Sequence, residues 1–287
     1  MNATRTSMTV ERKPRGRGRP RDPGGLDKNQ RLRSVDRALS VLSLVAREVK
    51  APLNVISATA GLPASTTHRI LETLREHRMV FYDELTQTWS IGVESFRVGQ
   101  GYARRISFLD VARQLMRDLT RRTDETSSLC VLEDNEVVAV TQIESEAVIR
   151  AFMPLGTRSA PHACAAGKCL LAFAGGPLTG TRASPLGFES YTEHTLVDPA
   201  RLADAFTHIR RLGWSIDDEE QVPGMRCLAA PIFDEYEQPI AALSIAGAKS
   251  RMTDHRLESL AGDLCEVADI ITHRSGGRHP KWDGLRE

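Results

Sequence analysis

A short run of residues from Leu53 to Leu74 limits the possible folds of this chain more than any other part of it. Within the run, Gly61 can take the positive φ that ends a helix, and Pro63 has a fixed φ suited to the start of the next helix. Apolar residues recur at helical spacing on both sides of this pair. Two short helices joined by so tight a turn predict a helix-turn-helix.

The second predicted helix begins with small hydroxyl and basic side chains, while Ile70, Leu71 and Leu74 are spaced to face a core. Hydroxyl groups and an Arg at a helix N-terminus suit phosphate oxygens and the base edges of a major groove. The same Ser and Thr residues would also serve as caps in an ordinary helical hairpin, so this stretch alone leaves both interpretations open. The candidate DNA-contacting residues are Ser65, Thr66, Thr67, His68 and Arg69.

The chain of 287 residues has a net charge of +1, which hides an uneven distribution of charge. Residues 1–33 contain ten Lys and Arg against three Asp and Glu, so this end is basic and the rest is mildly acidic. A basic end favours a localised nucleic-acid contact over binding by the whole surface. Since residues 1–33 also lack hydrophobic periodicity, we predict a disordered basic arm there.

Inside the arm, the run from Arg15 to Arg21 resembles the R-G-R-P core of an AT-hook. An extended Arg-Gly-Arg is narrow enough to lie in a minor groove, where A·T tracts attract guanidinium groups. Arg17 and Arg19 are therefore candidate minor-groove contacts. A solubilising basic tail that touches phosphates without reading groove width is an equally supported interpretation.

The sequence on either side of the helix-turn-helix predicts a winged helix over residues 34–93. A first helix is expected from Ser34, its N-cap, with a buried stripe of Val35, Leu39, Leu42, Val45 and Val49. Residues 79–82 and 89–92 flank a polar turn and predict a β-hairpin. The predicted wing tip consists of Thr86, Gln87 and Thr88.

The remaining residues predict a linker helix and a second domain of the α+β class. Residues 94–106 are compatible with a helix but contain Gly99 and Gly101, so we expect a linker helix that can bend. From 107 to 275, helices at 108–122, 202–212 and 253–272 alternate with strands at 128–132, 137–143, 148–153, 227–233 and 240–246. Short connections between strands indicate an antiparallel sheet flanked by helices. Residues 276–287 predict a flexible tail.

The small-residue run from Pro161 to Lys168 opens into an apolar helix and is a candidate anion site. Small side chains leave the backbone N–H groups of Ala165 and Ala166 uncovered, and a helix N-terminus favours an anion. The run lacks the upstream Gly of a P-loop, so a carboxylate fits better than a nucleoside triphosphate. Close packing of the helix on a sheet is the competing interpretation.

The five cysteines are odd in number and scattered, without a C-x-x-C pair. Together with the lack of a signal peptide or a bilayer-crossing apolar run, this predicts a reducing cytoplasm and no membrane association. A zinc site is disfavoured because no second ligand pair follows at a matching spacing. We therefore predict no metal, no cofactor and no catalytic residues.

Seven motifs occur along the chain in a fixed order: V-D-R-A-L-S-V-L at 35–42, A-G-L-P-A-S-T-T-H-R-I-L at 60–71, H-A-C-A-A-G-K at 162–168, Y-T-E-H-T-L at 191–196, G-W-S-I-D-D-E-E at 213–220, G-M-R-C-L-A-A-P-I at 224–232 and A-L-S-I-A-G at 242–247. By these motifs, the chain resembles an IclR-family transcriptional regulator over residues 34–275. The resemblance implies a winged helix-turn-helix, a linker helix and a GAF-like effector domain with an antiparallel sheet. It also implies assembly as a homodimer or a dimer of dimers.

The resemblance further implies which residues bind a small carboxylate or aromatic-acid effector. The ligand-facing groups would belong to Ala165, Ala166, Asp217, Cys227 and Ser244, and the apolar wall to Val148, Ala151 and Met153. Ala246 stands where some members have a second Ser, which removes one hydrogen bond and argues against a very small keto acid.

These features together predict a regulator of a catabolic operon that binds double-stranded operator DNA under the control of a small organic acid. Repression is expected more than activation, because it is the commoner outcome among similar proteins. Two other classes remain open: an architectural DNA-binding protein without a ligand, and an enzyme domain fused to a DNA-binding module.

Overall fold

The computed structural model describes residues 32–105, 108–174 and 188–280. The chain divides into two compact units between Gly99 and Gln100. Most of the predicted basic arm, including Arg17 and Arg19, lies outside the described residues, as does the predicted tail from residue 281 onward.

The first unit contains three helices followed by a two-stranded antiparallel hairpin and the start of a fourth helix. Its elements are α1 (Arg33–Glu48), α2 (Leu53–Ala60), α3 (Ala64–Glu76), β1 (Val80–Asp83), β2 (Thr88–Ile91) and α4 (Val93–Arg105). Gly61 ends α2 in the left-handed region at φ 62°, and the N–H of Leu62 donates to the Ser57 carbonyl oxygen at 3.1 Å. The predicted helix-turn-helix and hairpin are therefore confirmed as a winged helix.

The α1 helix buries only part of the predicted stripe. Val45 is fully buried and Leu42 packs against the same core, whereas Val35 and Leu39 are 50% and 58% exposed. Val41, which was not in the predicted stripe, is also fully buried. Ser34 is not the N-cap, because the helix already begins at Arg33 without a side-chain cap. The predicted stripe followed a spacing of three and four from Val35, but packing against α2, α3 and β2 covers the helix only between residues 38 and 45.

The linker helix α4 is continuous through Gly99 and Gly101. A Cβ built at either glycine meets no atom of the described residues within 4 Å, so packing within them does not require a glycine at either position. Their presence weakens the helix because each glycine has more backbone freedom to lose than alanine.

The second unit is a six-stranded antiparallel sheet with helices on both faces. Its elements are α5 (Leu109–Thr123), β3 (Thr126–Glu133), β4 (Glu136–Ile143), β5 (Arg158–Ser159), α6 (Ala165–Phe173), α7 (Pro199–Leu212), β6 (Ser215–Asp218), β7 (Met225–Phe233), β8 (Pro239–Ala248) and α8 (Asp254–Arg274). The strand order is β5-β4-β3-β8-β7-β6. Helices α5 and α8 cover one face of the sheet, and α6 with α7 covers the other. The predicted α+β class is confirmed.

Two strands differ from the prediction. Residues 148–153 form no strand, and the short edge strand is instead β5. Carbonyl groups of this segment accept side-chain hydrogen bonds: that of Ala151 from Thr126 Oγ1 at 2.8 Å, and that of Ile149 from Arg251. Strand β6 was not predicted, because four residues with two acids carry too little apolar signal. Nevertheless, β6 pairs with β7 along its whole length.

Candidate functional site

The N-terminal half of α3 exposes most of the predicted DNA-contacting side chains. Ser65, His68 and Arg69 are exposed, and Thr66 is half-buried. The helix begins after Pro63 without a side-chain cap, so backbone N–H groups at its start remain available to a phosphate oxygen. Exposed hydroxyl and basic groups at a helix start can contact both phosphates and base edges.

Thr67 does not belong to this surface, so that prediction was wrong. Its side chain is fully buried, and its Oγ1 donates to the carbonyl oxygen of Pro63 at 3.3 Å. Thr67 precedes the buried Leu71 by four residues, so helical geometry places both on the core-facing side. Thr67 therefore supports the start of α3 from the inside.

The wing is held beside α3 by aromatic contacts and an ordered tip. The ring of His68 meets Trp89 edge-on with centroids 6.4 Å apart, and Tyr82 packs on Trp89 at 4.7 Å. At the tip, hydrogen bonds from the side chain and backbone of Thr86 lower the pKa of Asp83. The predicted tip residues Thr86 and Gln87 lie in this turn, whereas Thr88 already belongs to β2.

A cavity of about 370 Å³ lies in the second unit between the sheet and the segment 150–153. Its lining contains every predicted effector-binding residue and two of the three predicted wall residues: Ala165, Ala166, Asp217, Cys227, Ser244, Ala151 and Met153. The prediction that Val148 forms part of the apolar wall was wrong, since its side chain is 97% exposed and is not part of the lining. Because 148–153 is a loop and not a strand, its side chains do not alternate between two faces of a sheet.

The N-terminus of α6 opens into this cavity. Cys164 precedes the helix without capping it, and the N–H groups of Ala165 and Ala166 have no hydrogen-bond partner within the described parts of the chain. A Cβ on Gly167 would lie 2.3 Å from the Cα and carbonyl oxygen of Pro161, so only glycine fits there. The close approach of these two segments fixes the uncovered N–H groups at the cavity wall, where they suit an anion.

Asp217 faces the same cavity from β6. Its Oδ1 accepts hydrogen bonds from the N–H groups of Glu220 at 2.7 Å and Gln221 at 3.4 Å. Burial, reinforced by the neighbouring charge of Glu220, raises the pKa of Asp217 to about 7. Near neutral pH this side chain can therefore either donate a hydrogen bond to a carboxylate or accept one from a hydroxyl.

A buried ion pair lies next to Asp217. Lys168 donates to Glu220 Oε1, and both side chains are more than nine-tenths buried. Burial raises the pKa of Glu220, while the charge of Lys168 opposes that rise. Glu220 Oε2 has no hydrogen-bond partner within the residues described here. The run of four acids from Asp217 to Glu220 is thus partly buried, at its first and last residues.

Three thiols, those of Cys130, Cys164 and Cys227, also line the cavity. Burial raises the pKa of Cys130 and Cys164 to about 12 and that of Cys227 well above its usual value. The thiols therefore stay protonated at neutral pH and act as small apolar groups.

His162 precedes α6, and its Nε2 lies 2.8 Å from the carbonyl oxygen of Glu189.

Sequence reasoning missed several lining residues, among them Thr126, Ser128, Gln142, Arg150 and Arg226. Thr126, Ser128 and Cys130 alternate along β3, and strand periodicity would have placed them on one face. Arg150 was missed because residues 148–153 were predicted as a strand that supplies an apolar wall, whereas the observed loop brings Arg150 to the cavity as well.

Within the described residues, no group of three or more His, Cys, Asp or Glu side chains is arranged to hold a metal ion. No helix in the same part of the chain combines the length and apolarity that crossing a membrane requires.

Comparison with known proteins agrees with this architecture. The family model of the IclR helix-turn-helix domain matches residues 34–84, and that of the bacterial transcriptional regulator IclR C-terminal domain matches residues 100–273. The chain is 40% identical over 278 residues to the HTH-type transcriptional regulator BhcR of Paracoccus denitrificans, covering 96% of this chain and 98% of BhcR. It is 33% identical over 267 residues to the transcriptional repressor IclR of Escherichia coli, covering 92% and 97%.

Solved structures share the fold. An IclR transcriptional regulator from Alicyclobacillus acidocaldarius matches with a TM-score of 0.74 and 23% identity over 86% of this chain and 100% of that one. An IclR homologue from Microbacterium hydrocarbonoxydans, complexed with 4-hydroxybenzoate, matches with a TM-score of 0.73 and 22% identity over 84% and 98%. The two family models cover more than half of the chain, and the sequence relatives, themselves transcriptional regulators, align over nearly all of it. The chain therefore belongs to the IclR family of DNA-binding transcriptional regulators.

Proposed function

We propose that the protein represses a catabolic operon in the cytoplasm and that a small organic acid bound in the second unit changes its affinity for the operator. The observation that carries this proposal is the cavity at the start of α6, where two uncovered N–H groups and Asp217 converge. Such a site provides donors for a carboxylate and an adjustable partner for a second polar atom. The complex of a family member with 4-hydroxybenzoate supports an acid as the ligand.

The DNA-reading part of the proposal rests on α3 and the wing. Ser65, Thr66 and Arg69 would contact the major groove of the DNA. His68, which lies beside the wing, would be close to the sugar-phosphate backbone of the DNA. Arg17 and Arg19 would assist from the arm in a minor groove. Deleting residues 1–28 tests the arm: a larger loss of affinity on A·T-flanked than on G·C-flanked operators supports the minor-groove role, and an equal loss contradicts it.

We further propose that the protein acts as a homodimer or a dimer of dimers. A single chain leaves large apolar side chains exposed on α1 and α4, including Val35, Leu39, Val93 and Phe96. The two residues named on each helix lie one turn apart, and exposed apolar groups that are neighbours in this way mark association surfaces. Replacing Leu39 by Asp should convert the dimer to a monomer in sedimentation analysis and weaken operator binding, while a dimer of unchanged stability would contradict this surface.

Control by the effector requires different effector affinities in the free and the DNA-bound protein. Selection of operator fragments from a random duplex pool would identify the DNA sequence, and a thermal-shift screen of keto, sugar and aromatic acids would identify the effector.

Asp217→Ala should abolish the effector response and leave operator affinity unchanged. An unchanged effector response would exclude this cavity as the site. A protein whose melting temperature no acid shifts would instead favour a ligand-independent architectural role.

A further inference from the structure

The cavity extends across the sheet well beyond the start of α6. Strand pairing aligns four cavity-lining residues in one row: Thr126 on β3, Ala246 on β8, Cys227 on β7 and Asp217 on β6. Neighbouring strands lie about 4.8 Å apart, so the two ends of this row are separated by roughly 14 Å. Asp217 and the N–H groups of α6 occupy one end, since Ser215 on β6 donates to the Ala165 carbonyl oxygen at 2.6 Å.

The opposite end of the row is closed by the segment 149–153. Thr126 Oγ1 donates to the carbonyl oxygen of Ala151 at 2.8 Å, and Arg251 Nη1 donates to that of Ile149 at 2.5 Å. Arg251 is itself held by the fully buried carboxylate of Glu125. These bonds fix the backbone on both sides of Arg150, which lines the cavity at this end.

Apart from the polar groups near its two ends, the lining is mainly apolar. It includes Ala246 within the row, Cys130 on β3, Val137 and Ala139 on the adjacent strand β4, and Met153 of the closing segment. An apolar stretch flanked by polar groups at both ends fits a ligand with an apolar body and a polar group at each terminus.

Two arginines line the cavity among the residues that the structure describes, and they differ in availability. Arg226 is committed to the protein: it binds Asp218 through two nitrogens at 2.7 and 2.9 Å and also Asp254 at 2.6 Å. Arg150 is paired with Glu144 at 2.9 Å, with side chains 42% and 40% exposed. An ion pair this exposed to water is weak and exchanges its partner readily. Glu144 also demonstrates that a carboxylate fits beside this guanidinium.

We propose that the effector is a dicarboxylic acid with an apolar spacer, bound by the N-terminus of α6 at one carboxylate and by Arg150 at the other. The inference rests on the proposed function, because it assumes that the cavity is the effector site. The second carboxylate of the diacid displaces the Glu144 side chain from Arg150. The Arg150 guanidinium then has a partner that is less exposed to water than Glu144. Arg150 is then a specificity-determining residue that separates diacids from monoacids of equal length.

Isothermal titration of the full-length protein with two matched pairs tests this inference: adipate against hexanoate, and suberate against octanoate. We expect at least one diacid to bind tenfold or more tightly than its monoacid partner. Arg150→Ala should remove this preference by weakening the diacid alone, since its side chain pairs with the exposed Glu144 and the hydrogen bonds that hold its loop come from Thr126 and Arg251. Equal affinities within both pairs for the wild-type protein would overturn the proposal.

Glu144→Gln is the matched control, because it breaks the same ion pair and keeps Arg150. The proposal predicts tighter diacid binding in this variant and weaker diacid binding in Arg150→Ala. A loss in both variants would mean that the ion pair only shapes the loop, and would overturn the role of Arg150. If none of the four acids binds, the dicarboxylate inference fails. Its failure is then separated from that of the proposed function by the wider acid screen, in which a bound monoacid keeps the cavity as the effector site.

Discussion

Replacing Asp217 by Asn should stabilise the free protein in a way that depends on pH. The Asn side chain keeps the oxygen that accepts from the N–H groups of Glu220 and Gln221, but it does not ionise. Asp217 is 6% exposed, and burial raises its pKa from 3.8 to about 7. The substitution therefore isolates the free energy of placing a charge in this cavity wall.

The sign and size of the effect follow from the two pKa values. Below about pH 3.8 the carboxyl is protonated in both the folded and unfolded states, so the free energy of unfolding carries no charging penalty. As the pH rises from there to about 7, the unfolded state loses its proton first and the wild-type protein loses stability. About three pH units at about 1.4 kcal/mol each give a loss of about 4 kcal/mol. Asp217→Asn avoids this loss.

Urea denaturation between pH 5 and pH 8, followed by circular dichroism, measures the effect. The stability advantage of Asp217→Asn should grow as pH rises and level off above pH 7. Asp218→Asn is a control of opposite sign, since hydrogen bonds from Arg226 lower the pKa of Asp218. That variant should be less stable than the wild type by a constant amount between pH 5 and pH 8, because the lowered pKa confines the loss of this stability to below about pH 3.8. A pH-independent difference for Asp217→Asn would refute the argument that charging this buried group opposes folding.

Three further variants test other parts of the structure. Arg69→Ala should weaken operator binding by about 1–3 kcal/mol in fluorescence anisotropy and relax specificity at one position, whereas a uniform loss on all sequences would indicate a phosphate contact. Gly247→Ala places a Cβ 2.0 Å from the buried Glu125 carboxylate, so the unfolding free energy should fall by about 1–3 kcal/mol, and an unchanged melting temperature would contradict this crowding. Gly99→Ala with Gly101→Ala meets no steric obstacle and should add about 0.5–1 kcal/mol per site to helix stability. If α4 bends during regulation, this double variant should also blunt the effector response in operator binding.

Local signals in the chain were sufficient for the winged helix and for most of the second unit. Gly61 and Pro63 mark a turn through their own backbone preferences, and the longer strands such as β7 are largely apolar stretches that can be recognised between polar turns. The motif from 162 to 168 also indicated where an anion would bind, because the start of a helix offers the same N–H groups in any protein.

Only the tertiary structure decided which side chains of a correctly predicted helix or strand are buried in the core or line the cavity. Val35 and Thr67 had the expected helical spacing, yet packing of α1 and α3 exposed the first and buried the second. The raised pKa of Asp217 arises because β6 lies against β7 and burial removes water from the carboxylate. Arg150 reaches the cavity only through hydrogen bonds from distant Thr126 and Arg251 to its loop, and such long-range bonds leave no periodic trace in the sequence.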